Sequence, residues 1–333
     1  MRMLLQVVSA QNTYGRLENE QCTLFLEALQ SMMVNSMQVE KPLAHTSTAT
    51  TTTELSTFLE SLILCYAELV NKSELTEKLS SMTGNFAKSL EDCAFGRNAA
   101  GTSARRDSVV MLAWITKALV MRGAAQAKSL STSLCELLAA PDPGVARAAV
   151  RGLAIVLGDR SCAFEKSNGA KVSLFFRQRF FSYSFPLVKA QLDTGAAATA
   201  KLAVVTLARY LPLDVLLRDK EEIFPLLETS VRDTDDPEIL PMVVEILHSI
   251  VKRDIATARP MFAAIVPALV QSASHGRTVR VRILALDCLV SFASDSTKDS
   301  KKAILRGIKP TLDDEVRAVR RFGSLCSNKW SAL

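Results

Sequence analysis

Aromatic residues are scarce in this chain: Phe, Tyr and Trp make up 6% of its 333 residues. Glycine (13) and proline (11) are also few, fewer than the turns of an all-β fold would need. The bulk is Leu, Ala and Met, which favour helix, so the composition predicts an all-α protein. Hydrophobic residues reach 48% and charged ones 22%. That is enough apolar material for a large core and too little charge for a disordered chain.

The signatures of chemistry are missing as well. There is no Gly-rich phosphate loop, no HExxH and no Gly-x-Ser-x-Gly. The three histidines, His45, His248 and His275, lie far apart in sequence. His248 falls within an apolar helical stretch and reads as a partly buried structural residue. The seven cysteines are odd in number and scattered, which fits a reducing compartment better than a secreted disulfide scaffold. No CxxC pair exists, and no Cys/His cluster has the spacing of metal ligands. Cys288 and Cys326 each lie seven residues after a repeat-equivalent valine, and read as small buried hydrophobes. No enzyme, metal or cofactor is therefore expected.

No targeting or membrane segment is expected either. The N-terminal Met-Arg-Met-Leu-Leu-Gln-Val-Val lacks the apolar core and cleavage site of a signal peptide. The longest uncharged run, Pro260–Gly276, reads as too short and too interrupted to cross a bilayer. The net charge of +6 is unevenly placed: 298–333 hold nine Lys or Arg against four Asp or Glu. The basic character belongs to the C-terminal end and not to the chain as a whole.

Along the chain, residues 1–40 read as one or two helices around Cys22–Met33. Thr46–Thr57 holds seven threonines in twelve residues, and the poor helix propensity of threonine predicts a flexible loop there. Helical periodicity resumes over Leu55–Val70 and Leu75–Leu90, and Gly96–Gly101 reads as a second loop. Residues 1–103 are thus read as an N-terminal helical segment, and 104–333 as a second region of different character.

From Ala104 onward, helices come in pairs that recur. Pro225 and Pro267, 42 apart, read as openings of equivalent first helices. Val145, Ala197, Ile239, Val281 and Val319 occupy equivalent places in the second helices, at steps of 52, 42, 42 and 38. Turn signals at Asp142-Pro143-Gly144 and Asp235-Asp236-Pro237 recur at matching places. Pairs at a period near 40 predict an α-solenoid of HEAT or armadillo type, since one pair cannot bury its apolar face alone. The long step places an expanded repeat at 158–185.

That repeat contains the densest aromatic cluster in the chain, Phe175-Phe176-Arg177-Gln178-Arg179-Phe180-Phe181. Phe176 and Phe180 share a helical face, and Phe181 and Phe185 continue a neighbouring stripe. The phenylalanines are expected to be core anchors, each contributing about 2 kcal/mol by burial. Arg177 and Arg179 are about 200° apart on a helix, so at most one can face inward, and an exposed arginine beside aromatics has the composition of an interface hot spot. The C-terminal basic residues, among them Lys309, Arg317, Arg320 and Arg321, leave three readings open: a solvated terminal cap, a docking face for an acidic protein, or a nucleic-acid surface. Asp313, Asp314 and Glu315 interrupt the run, and aromatics enter it only at Phe322 and Trp330, which weakens the last.

Leu174–Phe181 (LFFRQRFF), Met111–Val120 (MLAWITKALV) and Lys309–Arg321 (KPTLDDEVRAVRR) together resemble the C-terminal HEAT region of the Mms-nineteen adaptor family of cytosolic iron–sulfur protein assembly. The resemblance covers Ala104–Leu333; 1–100 are only loosely similar. That family is a much longer solenoid, and an apolar helix directly after Met1 fits a start inside a longer array. The resemblance implies a non-catalytic adaptor of the cytoplasm and nucleus. Its C-terminal repeats would dock a WD-repeat propeller protein and a small assembly factor. Clusters would pass to client apoproteins such as DNA helicases, polymerases and primase, which links the family to DNA repair and transcription without direct contact to nucleic acid. The residues put forward for partner binding are Arg177, Arg179, Lys309, Arg317, Arg320, Arg321 and Trp330. Phe176, Phe180, Phe181 and Trp114 are put forward as structural anchors. The alternative is a general HEAT scaffold or karyopherin-like transport protein.

Overall fold

The computed structural model describes residues 19–38, 50–73, 76–98, 100–158, 174–194, 197–232, 238–276, 278–293 and 298–333. Among the described residues there are helices and short turns and no strand. They divide into two compact units, Met1–Ala200 and Lys201–Leu333, so the division predicted at 103/104 is not where the packing breaks. The reason is that the helices on either side of that point form one stack.

In the first unit, α1 (Asn19–Gln38) pairs with α2 (Thr50–Lys72), α3 (Glu77–Ala94) with α4 (Thr102–Arg122), and α5 (Gln126–Glu136) with α6 (Pro143–Leu157). α7 (Leu174–Ala190) follows. The second members α2, α4 and α6 pack side by side as one layer, and α3, α5 and α7 as the other. Each helix buries a stripe at the spacing of the helical turn, as Cys22, Leu26, Leu29 and Met33 do in α1. Helix ends are marked by local chemistry. Thr76 accepts from the Leu79 N–H at 3.3 Å to start α3. The Asp142 carboxylate accepts from the Gly144 and Val145 amides at 2.8 and 3.0 Å to start α6. Gly123, at φ 68°, ends α4 in the left-handed conformation.

The threonine-rich segment departs from expectation. α2 begins at Thr50, so 50–57 are helical and not a loop; 46–49 lie outside the described residues. The packed half of α2, Leu59 to Val70, fixes the helix. Extending it backward adds one hydrogen bond per residue, which outweighs the roughly half a kilocalorie that each threonine costs.

α4 is the central helix of this unit. Every residue from Met111 to Val120 is buried, so the helix is covered on all sides. Two basic side chains on it reach the C-terminal ends of its neighbours. Lys117, 2% exposed, donates to the carbonyls of Ile155 at 2.9 Å and of Gly158, at the end of α6. Arg122 donates to the carbonyls of Val70 and Asn71, both at 2.8 Å, and of Ser73, at the end of α2. These are carbonyls that a helix terminus leaves without intrahelical partners.

The second unit holds α8 (Ala197–Tyr210, which straddles the unit boundary), α9 (Leu213–Arg218), α10 (Lys220–Arg232), α11 (Ile239–Arg253), α12 (Ile255–Ala258), α13 (Phe262–His275), α14 (Val279–Phe292), α15 (Lys298–Ile308) and α16 (Arg317–Ser331). α10, α13 and α15 form one layer, and α11, α14 and α16 the other. The predicted equivalent positions fall in the first turn of α6, α8, α11, α14 and α16. Val145, Ile239, Val281 and Val319 are buried and Ala197 is half-buried. The turn at Asp235–Pro237 and the first part of the expanded repeat, 159–173, lie outside the described residues.

Pro225 and Pro267 do not open helices. They are the sixth residues of α10 and α13. Proline is commonest at a helix start, but on an exposed face early in a helix it sacrifices only one backbone bond. Pro186 sits likewise inside α7. In each case the preceding residue (Phe185, Phe224, Val266) is buried while the proline is exposed.

Ile255–His275 is also more continuous than expected. α12, a 3-10 turn at Arg259–Met261 and α13 form a 21-residue stretch with mean hydropathy 1.2, which is long and apolar enough to cross a membrane by length and composition. Its inner side, including Ala258, Met261, Phe262, Ile265 and Leu269, is core of the second unit.

Candidate docking surfaces

α7 carries the aromatic–arginine cluster. Phe180, Phe181 and Phe185 are buried, with Phe181 and Phe185 stacked at 4.8 Å. Trp114 is buried in α4. Phe176 is half-buried and meets Phe175 edge-on at 5.5 Å. Phe175 and Leu174 face solvent, 63% and 51% exposed. Arg177 is half-buried and Arg179 is exposed.

The structure brings Arg179 beside residues the sequence did not indicate. Its guanidinium lies 5.8 Å from the centre of the Tyr183 ring, and Lys128 of α5 approaches the same ring at 5.9 Å. The two cations rim a cleft between α5 and α7, lined also by Val120, Ala124, Phe176 and Phe180. At Gly123 a Cβ would stand 3.2 Å from the Phe176 ring, so the α4–α5 turn closes tightly on that wall. Tyr183 lies in the aromatic stretch and its register could have been read. Lys128 comes from another helix, so no local signal marks it.

Replacing Phe180 with Ala should cost about 3 kcal/mol, the loss for a well-packed aromatic, whereas Arg179→Glu should leave stability within about 0.5 kcal/mol. Urea denaturation of the two variants separates the roles. Equal losses would make the whole cluster structural.

The C-terminal candidates divide more sharply. Lys309, Arg317 and Arg321 are exposed and form no ion pair among the described residues. On α16, Arg317, Arg321 and the 46% exposed Leu325 succeed one another at i, i+4 and align on one face. Arg320 is different: it donates to the Asp314 carbonyl at 2.6 Å and the Glu315 carbonyl at 3.0 Å. The Asp314 carboxylate accepts from the Val316 amide at 2.8 Å and pairs with Arg282 of α14 at 3.1 Å. Arg320 therefore braces the turn before α16. Gly323 presses on that turn too, since a Cβ there would overlap the Thr311 hydroxyl.

Trp330 must be moved from the docking candidates to the core. It is fully buried, lies parallel to Phe262 at 6.2 Å and donates its indole N–H to the Leu289 carbonyl at 2.9 Å. The sequence places it near a chain end beside basic residues, but α16 turns that face inward.

Reactive groups are few on these surfaces. Cys22, Cys65, Cys93, Cys135, Cys288 and Cys326 are all buried free thiols. Burial pushes Cys65 and Cys135 up to about 11, and Cys288 and Cys326 up to about 12, so the thiolate that metals and electrophiles need is disfavoured. No group of three or more His, Cys, Asp or Glu is placed to hold a metal among the described residues. His248 is half-buried and bonded to Asp287 of α14 at 2.9 Å, and Lys252 pairs with the same carboxylate at 2.8 Å. Burial opposes ionisation of Asp287, but the hydrogen bonds from Lys252 and His248 outweigh it and hold the acid below its ordinary range. The trio ties α11 to α14.

Residues 7–293 match the family model described as RNAPII transcription regulator C-terminal. The DNA repair/transcription protein mms19 of Schizosaccharomyces pombe is 27% identical over 274 residues, covering 79% of this chain and 26% of that protein. The MMS19 nucleotide excision repair protein homolog of Homo sapiens is 25% identical over 279 residues, covering 81% and 26%. The chain thus spans about a quarter of the length of these relatives. Among solved structures, the karyopherin Kap121p bound to the extreme C-terminus of the phosphatase Cdc14p aligns with 92% of this chain and 30% of its own, at 15% identity and a TM-score of 0.47. A designed armadillo repeat protein aligns over 72% and 99%, at 13% identity and 0.46. Likenesses this distant carry no functional weight.

Proposed function

The chain belongs to the RNAPII transcription regulator C-terminal family of the MMS19 proteins, and from that premise we propose that it is a non-catalytic adaptor. It docks through its C-terminal repeats onto the other members of the cytosolic iron–sulfur targeting complex, a WD-repeat propeller protein and a small assembly factor. It helps to present clusters to apoproteins that work in DNA repair, replication and transcription, in cytoplasm and nucleus. On this reading the repair and transcription in its relatives' names act through the clients, and the chain itself touches neither nucleic acid nor membrane.

The observation that carries the reading is the Arg317–Arg321–Leu325 face on α16. It offers two cations that form no ion pair among the described residues, beside an exposed leucine, a composition suited to an acidic protein surface with an apolar contact. The buried thiols support a scaffold that holds carrier and client without ligating the cluster.

Affinity capture with the tagged chain, read by mass spectrometry at low salt, tests this. The propeller protein and the assembly factor should be recovered together, and Arg317→Glu with Arg321→Glu should reduce both at least tenfold. Recovery of neither by the unaltered chain would end the adaptor reading.

A further inference from the structure

We infer that the cleft between α5 and α7 is a second docking site, which takes an acidic amphipathic peptide segment of a partner protein. It lies in the first unit and does not depend on what binds at α16.

Charge is the first ground. α7 carries Arg177, Arg179 and Lys189 and no carboxylate along its whole length. Arg179 and Lys128 form no ion pair among the described residues, yet both stand within 6 Å of the centre of one tyrosine ring. Like charges brought to one place repel, and the ring faces offset only part of that. A carboxylate entering between them would be paired on both sides by charge-assisted hydrogen bonds.

Shape and polarity are the second ground. The cleft floor is apolar, with Val120, Ala124, Ala127, Phe176 and Phe180. Phe176 meets Phe175 edge-on at 5.5 Å, and Phe175 faces solvent. Isolated exposed hydrophobics are ordinary in soluble proteins. Two phenylalanine rings in contact beside two cations have the composition of a partner site. The occupant that satisfies both halves has an Asp or Glu within about one helical turn of a Leu, Phe or Trp. The acid would meet Lys128 and Arg179, and the apolar side chain would cover Phe176 and Phe175. A nucleic-acid strand fits less well, because two cations cannot track a backbone and the floor offers little to phosphates.

Random 12-residue peptides displayed on phage and selected on the immobilised full chain test the inference. Recovered sequences should pair an acidic with a large apolar residue. A fluorescent synthetic copy should lose at least tenfold in affinity when its acid becomes the amide, and as much on the Lys128→Glu, Arg179→Glu chain. The neutral Lys128→Gln, Arg179→Gln chain serves the same purpose if the reversed one melts early. Arg317→Glu with Arg321→Glu should leave this binding unchanged, which separates a failure here from a failure of the adaptor reading. Selected peptides without acidic bias, binding indifferent to both cleft variants, or no peptide recovered would overturn the inference. So would labelled oligothymidylate binding that the cleft variants abolish while peptides fail to bind.

Discussion

Trp330→Ala should destabilise the second unit by about 4 kcal/mol, in the range of buried tryptophan truncations. The side chain is fully enclosed, so its removal leaves a cavity that the surrounding helices can only partly fill. The loss is more than apolar. Ala293 at the end of α14 donates to the Val290 carbonyl, and the Trp330 indole takes the Leu289 carbonyl in its place. Truncation would orphan that acceptor. Phe262 contacts both Trp330 and Phe292, the latter at 4.6 Å, so three helices share the cluster. Trp330→Phe should keep most of the packing and lose the hydrogen bond, costing about 2 kcal/mol. Thermal and urea unfolding of the two variants gives the comparison. If Trp330→Ala instead leaves stability unchanged and removes partner capture, the tryptophan is a docking residue after all.

The contrast between Trp330 and Arg321 shows where the sequence is legible and where it is not. Periodicity alone located the second helices, because Val145, Ile239, Val281 and Val319 each begin a buried stripe. The same stripe gave Cys288 and Cys326 as core. It also contains Trp330, four residues beyond Cys326 on the same face of α16, but its neighbours Lys329 and Arg321 drew it into the basic run. Composition along a segment is a poor guide to exposure where a single helix carries both faces.

Pro225 and Thr50 failed for another reason. Local preference predicted a helix start at the one and a loop at the other. Tertiary burial overrode both, since Phe224 and the Leu59–Val70 stripe are held in the core. The α5–α7 cleft was half legible. The angle between Arg177 and Arg179 required at least one of them to face outward without saying which, and Lys128, the companion of Arg179, is 51 residues away in the chain. Only the packing of α5 on α7 brings them together.

Lys117 is the residue whose role the sequence most obscures, and Lys117→Ala should cost about 3.5 kcal/mol. A lone lysine in Met111–Val120 stands in an otherwise apolar run, and it is as buried as its neighbours. Its ammonium lies 5.6 Å from the centre of the Trp114 ring and donates to the Ile155 and Gly158 carbonyls. Truncation removes three buried methylenes, at about 0.8 kcal/mol each. It also leaves those two carbonyls without this donor, at about 1 kcal/mol or more each. Relief from burying an ammonium offsets part of the loss. Lys117→Met should retain the packing and cost about 1.5 kcal/mol, because only the polar part of the loss remains. Beyond global stability, the two variants should share one local signature. Amide exchange at the last turn of α6 should quicken in both, since that end is where the lysine acts, while α3 stays protected. Unfolding curves with exchange mass spectrometry would show this. Faster exchange spread evenly over the first unit, with none localised to α6, would mean that Lys117 merely fills space.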